Sequence, residues 1–191
     1  MKRRSVNVCL GALAMSSGVW AETPSWPSKP ITLIVPFPPG GPTDFVGREL
    51  ARHLGDALGQ AVVVENRGGA GGNIGTAYFA KANPDGHTLG VMTVSAMSIA
   101  PHIHRNLGFN PTRDFTPITN IVTTPGAVLA NIKTPYNTLA EMIAMAKANP
   151  NKITYASVGQ GSLPHLTGEK LAADAGIRMT HVPYKGSAPA L

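Results

Sequence analysis

Pro36, Pro38 and Pro39, set directly behind a β-branched run, constrain this chain more than any other feature. Ile31, Thr32, Leu33, Ile34 and Val35 suit a short strand covered on both faces, and the prolines, which lack a ladder N–H, end it. Gly40 and Gly41 then allow a turn where a side chain would clash, and Thr43 or Asp44 is placed to cap a helix opening at Phe45. Such a strand, rigid loop and helix start directs unpaired backbone N–H groups at one spot, where the helix macrodipole adds partial positive charge. Residues of these types in this order point to a small-anion site, most simply a carboxylate.

The chain begins differently. Lys2, Arg3 and Arg4 precede an apolar, small-residue stretch over 8–19, well short of the roughly 20 residues a spanning helix needs, and Val19-Trp20-Ala21 suits cleavage. A signal peptide over 1–21 is therefore expected, with Glu22 the first mature residue, export, and no stable membrane insertion afterwards. Cys9, the sole cysteine, lies in that leader, so the mature chain has neither disulfides nor thiolate chemistry and must rely on its core. Without the three leader cations, 13 Lys+Arg stand against 10 Asp+Glu, a net of +3. That charge is ordinary, no basic stripe with interleaved aromatics occurs, and nucleic acid is not an expected partner.

Behind the first loop the pattern alternates. Helix is expected over 45–58, with Phe45, Val46, Leu50, Leu54 and Leu58 on its apolar stripe, and a buried strand over 61–65. A glycine-rich connection over 66–73 leads to a helix over 74–82, the turn Asn83-Pro84-Asp85-Gly86, and a third strand over 89–94. Strand and helix in alternation argue a parallel sheet with helices on its faces. After a short helical turn near 99–102, a Pro- and Thr-rich passage breaks the rhythm and marks the expected boundary between a first lobe, 22–116, and a second, 117–191. The second lobe should hold strands over 118–123 and 127–130, a helix over 139–148, a strand over 153–157, and a second glycine-rich loop, Gly159-Gln160-Gly161-Ser162, feeding a helix to about Ala175. A last strand is expected over 180–182.

Several of these segments together resemble a known family. The run from Trp26-Pro27-Ser28-Lys29-Pro30 through Asp44, then Glu65-Asn66-Arg67, Gly69-Ala70-Gly71-Gly72-Asn73-Ile74-Gly75, Pro84-Asp85-Gly86, Gly159-Gln160-Gly161-Ser162-Leu163-Pro164-His165 and His181-Val182-Pro183-Tyr184-Lys185-Gly186, is similar to the Bug (TctC-like) family. These are periplasmic solute-binding proteins associated with tripartite tricarboxylate transporters. The resemblance implies an α/β, two-lobed type II periplasmic-binding-protein fold that clasps a carboxylate between its lobes. It also implies inner-membrane transporter subunits as partners, a monomer, no cofactor and no chemistry. It places Phe37, Gly40, Gly41, Thr43 and Asp44 at the cleft in the first lobe, and Gly161, Ser162 and His165 in the second. Gly68 departs from the family's usual proline. Family members also continue past the position of Leu191, so the resemblance implies a fold incomplete at the C-terminus and a weakly folded product.

Other readings are weaker. Ile74 sits where a dinucleotide fingerprint needs its third glycine, and no phosphate-loop Gly-Lys-Ser/Thr is present. Ser162 directly follows Gly161 and lacks the paired glycine of a nucleophile elbow, which leaves Ser162 and His165 as the one nucleophile and base a hydrolase could use. A partner of a membrane sensor kinase would share the receptor's site and differ in who reads it. His102 and His104 lack a third ligand nearby, so no metal is expected, while His53, His87 and His181 group with nothing in sequence. Asp44 is negative, so capping, or holding a water or a ligand hydroxyl, suits it better than direct contact with an anion.

Overall fold

The computed structural model describes residues 25–191, so the expected signal peptide lies outside the described residues. The first sheet is built from β1 (Ile31–Val35), β2 (Val62–Asn66) and β3 (Thr88–Gly90), all parallel in the order β2-β1-β3. The central strand is the one that ends in prolines, with Ile31 opposite Val62 and Val35 opposite Asn66. Between strands run α1 (Pro42–Leu58) and α2 (Asn73–Phe79), and beyond β3 a π-helical turn (Ser95–Ile99) leads into α3 (Ala100–Ile103). Leu33, Val35, Ala51 and Val91 form the core of this part.

Helix α1 opens at Pro42 rather than Phe45, since a proline at the first helical position gives up an N–H that no helix could use. Its buried face is not the expected stripe of large residues. Phe45 is 67% exposed, while Asp44, Gly47 and Ala51 are buried. Gly47 decides this: a Cβ there would lie 2.6 Å from Val35 Cγ2, so the helix seats on β1 through its smallest residues. Strand β2 is an edge strand, half-buried rather than buried, and β3 is shorter than expected because the chain turns into the π-helical segment.

The second sheet has two parallel strands, β4 (Thr154–Ser157) and β5 (Thr180–Pro183), flanked by α4 (Leu139–Ala148) and α5 (Leu163–Ala175). Met142, Ala146, Ile153 and Ile177 make a separate core. Thr138 caps α4 by accepting from Glu141 N at 3.2 Å, and Gly176 closes α5 in the left-handed region. The strands expected over 118–123 and 127–130 are absent: 115–131 holds no helix or strand, and Val128, Leu129 and Ile132 are 67%, 76% and 97% exposed. A β-branched run becomes a strand when a neighbour takes its hydrogen bonds and its apolar face, and none of the described strands pairs with it.

Candidate functional site

At the end of β1 the chain turns through Phe37 to Gly41. Gly41 is the cap residue of α1, and neither Thr43 nor Asp44 caps the helix with its side chain, contrary to expectation. Asp44 instead turns back. Its Oδ2 accepts from Gly40 N at 2.9 Å and from Arg48 Nε at 2.9 Å, and its Oδ1 accepts from Asn66 Nδ2 at 2.8 Å. The same Asn66 amide donates to Phe37 O at 3.0 Å, tying the end of β2 to the loop. Burial raises the Asp44 pKa, but the bonds from Arg48, Gly40 and Asn66 together outweigh it and hold the carboxyl at about 2. Asp44 is thus an internal anchor, 4% exposed and ionised at neutral pH, that fixes the loop.

Fixing the loop in this way leaves donors over. Among the described residues no acceptor takes the N–H of Gly41, Thr43 or Asp44, and half-buried Thr43 makes no side-chain hydrogen bond. Those amides are the unpaired donors of a helix start, supplemented by the macrodipole. Phe37 is buried beside them, and a Cβ on Gly72 would lie 3.3 Å from its Cζ. A Cβ on Gly41 would lie 3.8 Å from Ser187 Cβ, and one on Gly40 3.9 Å from Ala188 Cβ, so 187–188 cover the same mouth.

The second junction, between β4 and α5, is wired otherwise. Ser162 is 0% exposed; its Oγ donates to Gly159 O at 2.6 Å and accepts from His165 N at 3.5 Å. Ser95, 68 residues earlier in the chain, accepts from Leu163 N at 3.0 Å. The N–H of Gly161 donates to His165 Nδ1 at 3.2 Å. The first turn of α5 is therefore satisfied by side chains. Ser162 and His165 are not arranged as nucleophile and base, since the imidazole bonds Gly161 and not the hydroxyl.

The loop around Gly71 stands between the junctions. A Cβ on Gly71 would lie 3.5 Å from Gln160 O and 3.6 Å from Ser162 Cβ, and one on Gly159 would lie 2.9 Å from Gly71 N. Phe37, Gly40 and Asp44 thus form one cluster through Asn66, Gly161, Ser162 and His165 a second, and Gly71–Gly72 touches both. Thr43 bonds to neither. A separate groove of about 630 Å³ runs between α1 and β2 past Arg48, Arg52 and Val62, away from both loops, and Arg52 there is engaged by Glu49 and Asp56.

Sequence reasoning missed Asn66, Ser95 and His181. Asn66 ends a strand beside a glycine-rich run, which was the signal available for it. Ser95 and His181 gave none, since their partners stand in other elements. His181, which groups with nothing in sequence, packs its ring 4.1 Å from that of His165.

Comparison with known proteins decides the lineage. The profile of the tripartite tricarboxylate transporter family receptor (TctC) matches residues 46–191. The chain belongs to that family. It is 37% identical over 187 residues to Protein BugT of Bordetella pertussis strain Tohama I, covering 97% of this chain and 57% of BugT. Among solved structures it resembles the periplasmic binding protein BugD (40% identity, TM-score 0.76, 86% of this chain and 55% of that one). It also resembles MatC of Rhodopseudomonas palustris with bound malate (33% identity, TM-score 0.80, 86% and 56%). The chain spans about half the length of the relatives it matches. The fold is thus that of the TctC-type periplasmic binding proteins, as the sequence motifs imply.

Proposed function

We propose that this protein is a periplasmic receptor that captures a small carboxylate between two α/β lobes, 22–116 and 117–191, and delivers it to an inner-membrane transporter of the tripartite tricarboxylate class. The observation that carries the reading is the trio of amides at Gly41, Thr43 and Asp44, which stand without acceptors beside the Thr43 hydroxyl and the Phe37 ring. One carboxylate would accept from these amides and from Thr43 Oγ1, with Phe37 as an apolar wall. Gly40 and Asp44 act one step back by holding the loop open. The second-lobe residues Gly161, Ser162 and His165 supply a shaped wall rather than free donors, because their polar groups are engaged. The malate bound to MatC supports a dicarboxylate as the ligand class.

Calorimetric titration with malate, other C4 to C6 dicarboxylates, citrate and amino acids tests this. The expected result is binding of at least one acid without turnover, weakened roughly tenfold in Thr43→Val, the cost of about one charge-assisted hydrogen bond. Unchanged affinity in Thr43→Val would remove the central contact, and consumption of the acid would overturn the receptor reading.

A further inference from the structure

Below the second loop lies a cluster that the receptor reading leaves unused. The His165 and His181 rings are 4.1 Å apart, and Tyr155 stacks on His181 at 5.0 Å. Ser157 Oγ lies 2.7 Å from His181 Nε2 and accepts from Gly159 N at 3.2 Å, while His165 Nδ1 accepts from Gly161 N. Both glycine amides of the loop are therefore held by this cluster. Gly159 is held through Ser157 and Gly161 through His165.

We propose that His165 and His181 are positioning residues for the loop over 159–162, and that the loop keeps its shape only while this imidazole pair is neutral. The argument is one of donors and acceptors. A neutral His165 presents a bare Nδ1 to the Gly161 N–H; an imidazolium carries a proton on both nitrogens, so donor would meet donor and the Gly161 bond would be lost. Ser157 Oγ also donates to Gly159 O at 3.1 Å, so it can accept from His181 Nε2 without releasing Gly159, and an imidazolium at His181 acts on the pair through a charge 4.1 Å from the other ring. The groups facing the pair do not cancel this. Glu169 on α5 reaches His165 Nε2 at 3.8 Å, but it is half exposed and also accepts from the Tyr155 hydroxyl. From the first part of the chain comes His104, whose Nε2 would lie 3.2 Å from a Cβ on Gly161 and which adds a further titratable ring, not an anion. Lys170 is paired with Asp174 in solvent. Burial, and then the His165 charge, push the His181 pKa below its ordinary value of 6.5, partly offset by Glu169. The sign follows: stability from a neutral His181 is present above about pH 6.5 and is lost as pH falls through the lowered value.

The consequence for ligand rests on the receptor reading; the loop itself does not. NMR of the full chain from pH 8 to pH 5 should show the Gly161 amide losing hydrogen-exchange protection about tenfold, after correction for the intrinsic pH dependence of exchange. In His165→Asn, whose amide oxygen replaces Nδ1 as acceptor, protection should stay flat. A proton found on His165 Nδ1 at pH 8, or an unchanged pH dependence in the variant, would overturn the proposal. As a second readout, malate affinity should fall about tenfold from pH 8 to pH 5.5 in the wild type and less than twofold in His165→Asn; equal falls would count against it. Absence of carboxylate binding at every pH would overturn the receptor reading and leave the Gly161 protection to decide the loop.

Discussion

The two βα junctions look alike in sequence and are opposites in wiring. At the first, a carboxylate inside the protein, Asp44, takes the loop amide of Gly40 and, among the described residues, leaves the following amides of Gly41, Thr43 and Asp44 without acceptors. At the second, Ser162, His165 and Ser95 take the amides of His165, Gly161 and Leu163, so the turn is complete before anything arrives. Two glycine-rich loops before two helices therefore do not make two equivalent anion sites. The difference lies in which side chains stand one turn into the helix and in whether another element reaches across to cap it. One junction offers charge complementarity, and the other offers shape.

The largest effect on this contrast is expected from Gly75→Ala. A Cβ there would lie 2.3 Å from Arg67 O and 2.8 Å from Pro36 Cα, both backbone atoms that cannot move without shifting β1 and the Gly71 loop. A loss of about 3 kcal/mol, read by urea denaturation, is expected from such overpacking. Because that change strikes the loop shared by both junctions, it should abolish their contact together. A stability within 1 kcal/mol of wild type, on the order of an ordinary surface change, would show the Gly71 loop to be compliant.

Asp44→Asn separates the junctions. The change keeps the shape but removes the charge that binds Arg48 and Gly40. The folded pKa of about 2 lies below the ordinary value of 3.8, so the stabilisation is complete above pH 4 and lost as pH falls toward 2. The shift corresponds to about 2 kcal/mol. The variant should lose about that much at pH 7, and the wild-type decline between pH 4 and pH 2 should be smaller in it. The hydrogen-exchange protection of Gly40 should fall while that of Gly161 is unchanged.

Much of this fold could be read from the chain. The strand ended by prolines, the α4 boundaries and the alternating order are local signals, and 139–148 came out as expected because Thr138 caps it and Asn149 and Pro150 close it. What could not be read depends on partners far away. The stripe on α1 was misjudged because Gly47 and Ala51 gain their burial from Val35, not from their own hydrophobicity. The β-branched runs at 118–123 and 127–130 carry strand propensity, but propensity without a pairing neighbour leaves them irregular. For the site, the glycines and Asp44 stood out, whereas the identity of the engaged amides did not. That depends on Asn66 reaching across 22 residues and Ser95 across 68.

Ser95→Ala is the smallest of these perturbations and the sharpest for the comparison. Ser95 is buried at the start of the π-helical turn, and its hydroxyl is the acceptor that reaches Leu163 N from the other sheet's side of the molecule. Removing it leaves one partly buried N–H without a partner at the start of α5, at a cost of about 1 kcal/mol. The same change makes the second junction resemble the first, because the amide that had been satisfied becomes a free donor beside the macrodipole. Chloride or malate should then protect the variant against denaturation more than it protects the wild type, by roughly the same 1 kcal/mol at saturating anion. If the variant is destabilised without any gain in anion protection, the second junction cannot act as an anion site even when freed, and its contribution is steric alone.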